Sequence, residues 1–81
     1  MFKLMAYIIS TEIEGTTYCI KTNVKKNCFE LIPLITQSDL NKAFTPPHST
    51  QARFILNWIN ENDPSLAGKE LKVQPEARYR R

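Results

Sequence analysis

One segment of this chain, residues 51–62, is apolar around more than half of its helical circumference, and nothing else in the sequence constrains the fold as much. On a wheel of ~100° per residue, Ala52, Ile55, Leu56 and Ile59 recur at i, i+3, i+4 and i+7, one face of a 3.6-period helix. Phe54 and Trp58, an i, i+4 pair, stand beside that stripe and widen the apolar arc to roughly 200°. Arg53, Asn57, Asn60 and Glu61 fall on the remaining arc, toward water. Ser49 or Thr50 is placed to cap this helix, and Asp63-Pro64 to end it. A helix lying on a small sheet buries one stripe, so the Phe54–Trp58 flank needs a second neighbour. Two are open: the chain's own residues 34–44, with Leu40 and Phe44, or a partner molecule.

The sheet itself is legible from alternation. Residues 3–11 read as a strand with Met5, Tyr7 and Ile9 on one face and Leu4, Ala6 and Ile8 on the other. Both faces are apolar, which marks a central strand. Gly15 supplies the positive φ of a tight reversal, and residues 16–22 form the second strand. A turn over 23–27 and a strand over 28–32, stopped by Pro33, complete a meander. Ser38 or Asp39 is placed to cap a short helical turn over 40–44. Thr45-Pro46-Pro47-His48 must be extended, because each proline steers its predecessor away from the α region. Gly68 lets the chain turn back into a short fourth strand over 70–74, closed by Pro75. The expected fold is therefore α+β: a three- to four-stranded antiparallel sheet, a β-meander plus a short C-terminal strand, with one main helix packed on it.

At 81 residues, 42% hydrophobic and 23% charged, the chain is one ordinary globular domain. The longest apolar run, residues 4–9, is far below the ~20 residues of a membrane span and too short for a signal peptide. Two cysteines are too few for a secreted disulfide scaffold, which favours a reducing, cytoplasmic setting. The net charge of +3 belongs to residues 69–81, and the first 68 sum to zero. Residues 1–76 thus read as the domain and 77–81 as a basic tail. Lys69, Lys72, Arg78, Arg80 and Arg81 suit phosphates, with Tyr79 to stack on a base and Lys25 and Lys26 as possible additions. The plainer reading is a solvated terminus.

Catalytic equipment is thin. The single histidine, His48, sits in Pro-Pro-His-Ser-Thr with no motif framing it and Ser49 as base and nucleophile. Cys19, Cys28 and His48 match no zinc spacing, and Gly15 and Gly68 make no phosphate loop. Glu12 and Glu14 flank a turn, where acids are usually solvated. Cys19 and Cys28 sit symmetrically about Asn23-Val24, which lets them face each other across the second hairpin. No catalytic, cofactor or metal site is expected.

Tyr7-Ile8-Ile9, Thr17-Tyr18-Cys19-Ile20, Ala43-Phe44-Thr45 and Ala52 opening an aliphatic helix carry a resemblance. Over residues 5–60 the order of elements resembles small phage or prophage accessory proteins of the anti-CRISPR or anti-defence inhibitor type. Their motifs are generic core positions, so the resemblance carries over no functional residue, and the basic C-terminal tail departs from the pattern. It implies a non-enzymatic protein that blocks a larger host protein or ribonucleoprotein complex by occupying a surface. The candidate contacts are Phe44, His48, Arg53, Phe54, Asn57 and Trp58. Two alternatives are nucleic-acid binding through the tail and a homodimer through the Phe54–Trp58 flank or an open sheet edge.

Overall fold

Alternation along the first strand sets up two cores rather than one. In the computed structural model, which describes residues 6–79, β1 (Tyr7–Ile13), β2 (Thr16–Asn23) and β3 (Cys28–Pro33) form the antiparallel meander. Strand β4 (Lys72–Pro75) pairs antiparallel on the other side of β1, giving the order β3-β2-β1-β4. Ile8, Ile9, Ser10 and Thr11 of β1 are all buried, so both faces of the central strand are covered. Ile8 and Cys19 pack with Leu40 and Ala43 on one face. Ile9 and Ile20 pack with Ile59 and Leu66 on the other.

The main helix α2 (Ser49–Asn62) buries Ala52 and Ile59 against the second face, over β1 and β4. It begins two residues before the expected start, with His48 at the N-cap position and no side-chain capping bond. A shorter helix, α1 (Gln37–Lys42), covers the first face through Leu40. Its cap is Thr36 rather than Ser38 or Asp39. The Thr36 hydroxyl accepts from the Asp39 amide, while the Asp39 carboxylate accepts from the amides of Ile35 and Thr36. Those two amides hold the Asp39 carboxyl below its ordinary pKa.

The two helices lie on opposite faces, so the chain between them must cross the sheet. It does so where β1 and β2 part. Their pairing ends at Ser10 and Cys19, and beyond it the Phe44 amide donates to the Ile20 carbonyl while the Tyr7 amide donates to the Pro46 carbonyl. Ala43 belongs to one core and Phe44 to the other, and Pro46 is buried in the opening. The extended Thr45-Pro46-Pro47 run is what such a passage needs: helical backbone is too wide to lie between two strands.

Other boundaries differ from the sequence expectation for local reasons. The start of the first expected strand, with Met5, lies outside the described residues. That strand runs on to Ile13, because Glu14 and Gly15 close a two-residue turn with φ of 52° and 81°. Two positive φ values match a type I′ turn, which Asn-Gly fits best. Replacing Glu14 with asparagine is expected to raise stability by about 0.5–1 kcal/mol in urea unfolding, since asparagine tolerates the left-handed region better. After α2, Asp63 caps a further helix, α3 (Pro64–Ala67), by accepting from the Ser65 amide. Asp63-Pro64 is thus a stop and a start, with proline in the first helical turn. Glu70 rather than Gly68 takes the left-handed conformation, at φ 53°, and the Thr11 hydroxyl donates to the Lys69 carbonyl beside it. The fourth strand is accordingly shifted from 70–74 to Lys72–Pro75.

The basic tail is not separate from the body as far as it is described. A 3-10 turn (Glu76–Arg78) follows β4, Tyr79 packs against the Ile8 and Leu40 core, and the Gln37 side chain donates to the Tyr79 carbonyl at 2.9 Å. Arg80 and Arg81 lie outside the described residues.

Candidate functional site

The position of α2 over β1 and β4 leaves the β3 side of the same face to side chains alone. Phe44, delivered by the crossing segment, meets Phe29 of β3 edge to face at 5.5 Å between ring centroids. Trp58 meets the same Phe29 ring at 6.2 Å and 70°. One edge of the indole is thereby anchored while the residue stays 44% exposed, and Phe54, one helical turn earlier, is 69% exposed. Residues 34–44 do not cover the flank. Leu40 is spent on the opposite face, and Phe44 alone reaches this side. Arg53, Asn57 and His48 are exposed, the first two one helical turn apart on α2 and His48 at its start. The Asn62 side chain donates to the Trp58 carbonyl at 2.9 Å and secures the last turn beneath the indole.

The structure therefore brings Phe44 and Trp58 together through Phe29, with Phe54 alongside. Phe29 and Leu31 are the members that the sequence reading missed. Their signal is the i, i+2 alternation of Phe29 and Leu31 around Glu30, which puts both on the α2 face of an edge strand. The other exposed apolar residues, Val24 and Ile35, stand singly in a turn and a loop and add nothing to the patch.

On the opposite face a polar groove of about 300 Å³ lies over β1 and β4. Ser10, Glu12, Lys72 and Gln74 form its floor, with Glu70, Arg78 and Tyr79 around them. Lys72 and Arg78 thus share the groove with two carboxylates, and the Arg78 guanidinium donates to the Gln74 side chain at 3.1 Å. Tyr79 is half-buried on the core instead of standing free to stack on a base. Lys69 sits in the loop held by Thr11, and Lys25 and Lys26 project from the β2–β3 turn, at the edge of the sheet away from β4. The described cations therefore do not merge into one surface.

No family model, curated protein or solved structure matches this chain. Among the described residues no group of three or more His, Cys, Asp or Glu side chains is gathered, and no helix is long and apolar enough to cross a membrane.

The cysteines do not face each other. Cys19 pairs with Ile32 and Cys28 with Asn23, because the hairpin turns about Lys25-Lys26 rather than Asn23-Val24. The two thiols are four register positions apart along the hairpin, about 13 Å at the rise of a strand, which rules out a disulfide without unravelling the ladder. Burial, with a contribution from the Asp39 carboxylate, pushes the Cys19 thiol from its ordinary 9.0 up to about 11. A raised thiol pKa stabilises the fold fully below the unfolded value and is lost as pH climbs through the folded one. Stability should fall between pH 9.0 and about 11, and Cys19→Ala should remove that part of the fall. At neutral pH a thiol reagent is expected to label half-buried Cys28 in the native protein and Cys19 only on unfolding.

Proposed function

We propose that this chain is a non-enzymatic protein-binding module whose contact face is the Phe54–Trp58 flank of α2 with Phe44 and Phe29 beside it. One observation carries the reading: an i, i+4 aromatic pair remains exposed although one edge of the indole is already packed against the sheet. Aromatic side chains, with Trp58 and Phe44 packed on Phe29 and with Arg53 and Asn57 on the neighbouring stripe, are the composition of an interface core and its polar rim. A face of roughly 800 Å² is within reach of a domain this size and suffices for specific binding. The resemblance to phage accessory proteins supports a finer form, an inhibitor that occupies a surface of a host nucleic-acid-processing complex.

Affinity capture from host lysate with the wild type and with Phe54→Asp tests it. A partner retained by the wild type and lost by the variant is the expected result. Failure of the wild type to retain any protein across a range of salt would count heavily against it. The nucleic-acid alternative is weaker, since Lys72 and Arg78 are interleaved with Glu12 and Glu70, whose charge opposes a phosphate backbone.

A further inference from the structure

Which backbone groups of β3 are spoken for follows from one bond. The Leu34 amide donates to the Thr17 carbonyl, so the register of β2 and β3 makes Cys19–Ile32, Lys21–Glu30 and Asn23–Cys28 the hydrogen-bonded pairs. Phe29, Leu31 and Pro33 therefore direct their main-chain groups away from the sheet. Phe29 and Leu31 each offer an amide and a carbonyl with no partner among the described residues, and Pro33 offers a carbonyl alone. The opposite edge is guarded. On β4 the outward positions are Val73 and Pro75, which leaves one amide. The open edge is also the one whose side chains reach the aromatic patch, since Phe29 touches both Phe44 and Trp58.

Resting on the protein-binding reading above, we propose that the partner contributes an extended strand, which adds to the free edge of β3 and lays alternate apolar side chains against the Phe29–Trp58 patch. Main-chain bonds to Phe29 and Leu31 would give affinity, and the aromatic shelf would select the side chains. Glu30 decides against a second copy as the occupant. Antiparallel self-pairing that satisfies both Phe29 and Leu31 places Glu30 opposite Glu30 of the second copy at the close, non-hydrogen-bonded position, where like charges are destabilising. Sliding the register one way runs Leu31 against Asn27, which has a φ of 53° and is no longer strand. Sliding it the other way runs Phe29 against Pro33, which has no amide. Within the chain the Glu30 carboxylate is held on the β2 side, 3.7 Å from the Lys21 ammonium and accepting from the Asn23 side chain at 3.2 Å, yet the side chain stays 40% exposed, which leaves its charge within reach of an incoming strand. The fitting partner segment alternates apolar residues with a basic or uncharged residue opposite Glu30.

The test is a displayed random-peptide library panned on the full chain, followed by amide exchange measured by NMR with one enriched peptide. The expected consensus has apolar residues at every second position. The Phe29 and Leu31 amides should slow by at least about tenfold on binding, while Glu30, already bonded to Lys21, should change little. Enriched peptides with helical spacing, a bound peptide that leaves both amides unchanged, or no enrichment at all would each overturn strand addition. A peptide that protects both amides but binds Trp58→Ala as well as wild type keeps the edge and removes the aromatic flank, so the two readings fail separately. In sedimentation the wild type should stay monomeric and Glu30→Thr should self-associate. A wild-type dimer with Phe29 and Leu31 protected would transfer the edge to a second copy.

Discussion

Trp58→Ala is expected to weaken partner binding at least ~30-fold, about 2 kcal/mol, while costing only about 1–2 kcal/mol of stability. The two numbers differ because the indole is shared. A fully buried tryptophan costs ~3–5 kcal/mol on truncation. Trp58 is 44% exposed and packs through one edge on Phe29, so the fold holds only part of its surface. Phe54→Ala sharpens the contrast. At 69% exposure it should shift stability within about 0.5 kcal/mol and still reduce binding. Urea unfolding supplies the first quantity and titration against the captured partner the second. A stability loss of ~3–5 kcal/mol for Trp58→Ala, with affinity unchanged in the folded fraction, would make the indole a core residue and remove the candidate face.

The elements were legible where a local pattern decides them. Alternation gave the meander, and the spacing of Ala52, Ile55, Leu56 and Ile59 gave the buried stripe of α2. The apolar character of both faces of β1 also announced a central strand rather than an exposed edge, and the structure covers both of its faces. What covers each face was not legible, because it depends on where the chain between α1 and α2 goes. Leu40 and Phe44 are four residues apart, a spacing that reads as one helix face. The crossing between β1 and β2 instead sends them to opposite sides of the sheet. The cysteine pairing failed on a two-residue displacement of the turn centre, since Asn27 rather than Asn23 takes the left-handed conformation. Of the candidate face, Phe54 and Trp58 could be seen as an excess of apolar arc. Phe29 and Leu31 share a face by alternation, but only the sheet order makes β3 an edge and brings that face into the patch.

Ile59→Ala, one residue from Trp58, should do the reverse of the tryptophan substitution: about 3 kcal/mol of stability lost, with no direct effect on the binding face. Ile59 is fully buried among Ile9, Ile20 and Leu66, the residues that join α2 to the sheet. A domain of this length has a total stability on the order of 4–12 kcal/mol, so the loss is a large share of it. Nothing in α2 offsets it. The helix has no side-chain cap at His48 and no acidic residue in its first turn, and alanine's better helix propensity returns only about 0.4 kcal/mol. The stripe Ala52–Ile59 is therefore what fixes the rotation of the helix, and that rotation is what holds Phe54 and Trp58 outward. Urea unfolding should show a lower midpoint at an unchanged slope. A loss below about 1 kcal/mol would mean that α2 is not seated by this stripe, and the outward flank would lose its physical basis together with the helix orientation.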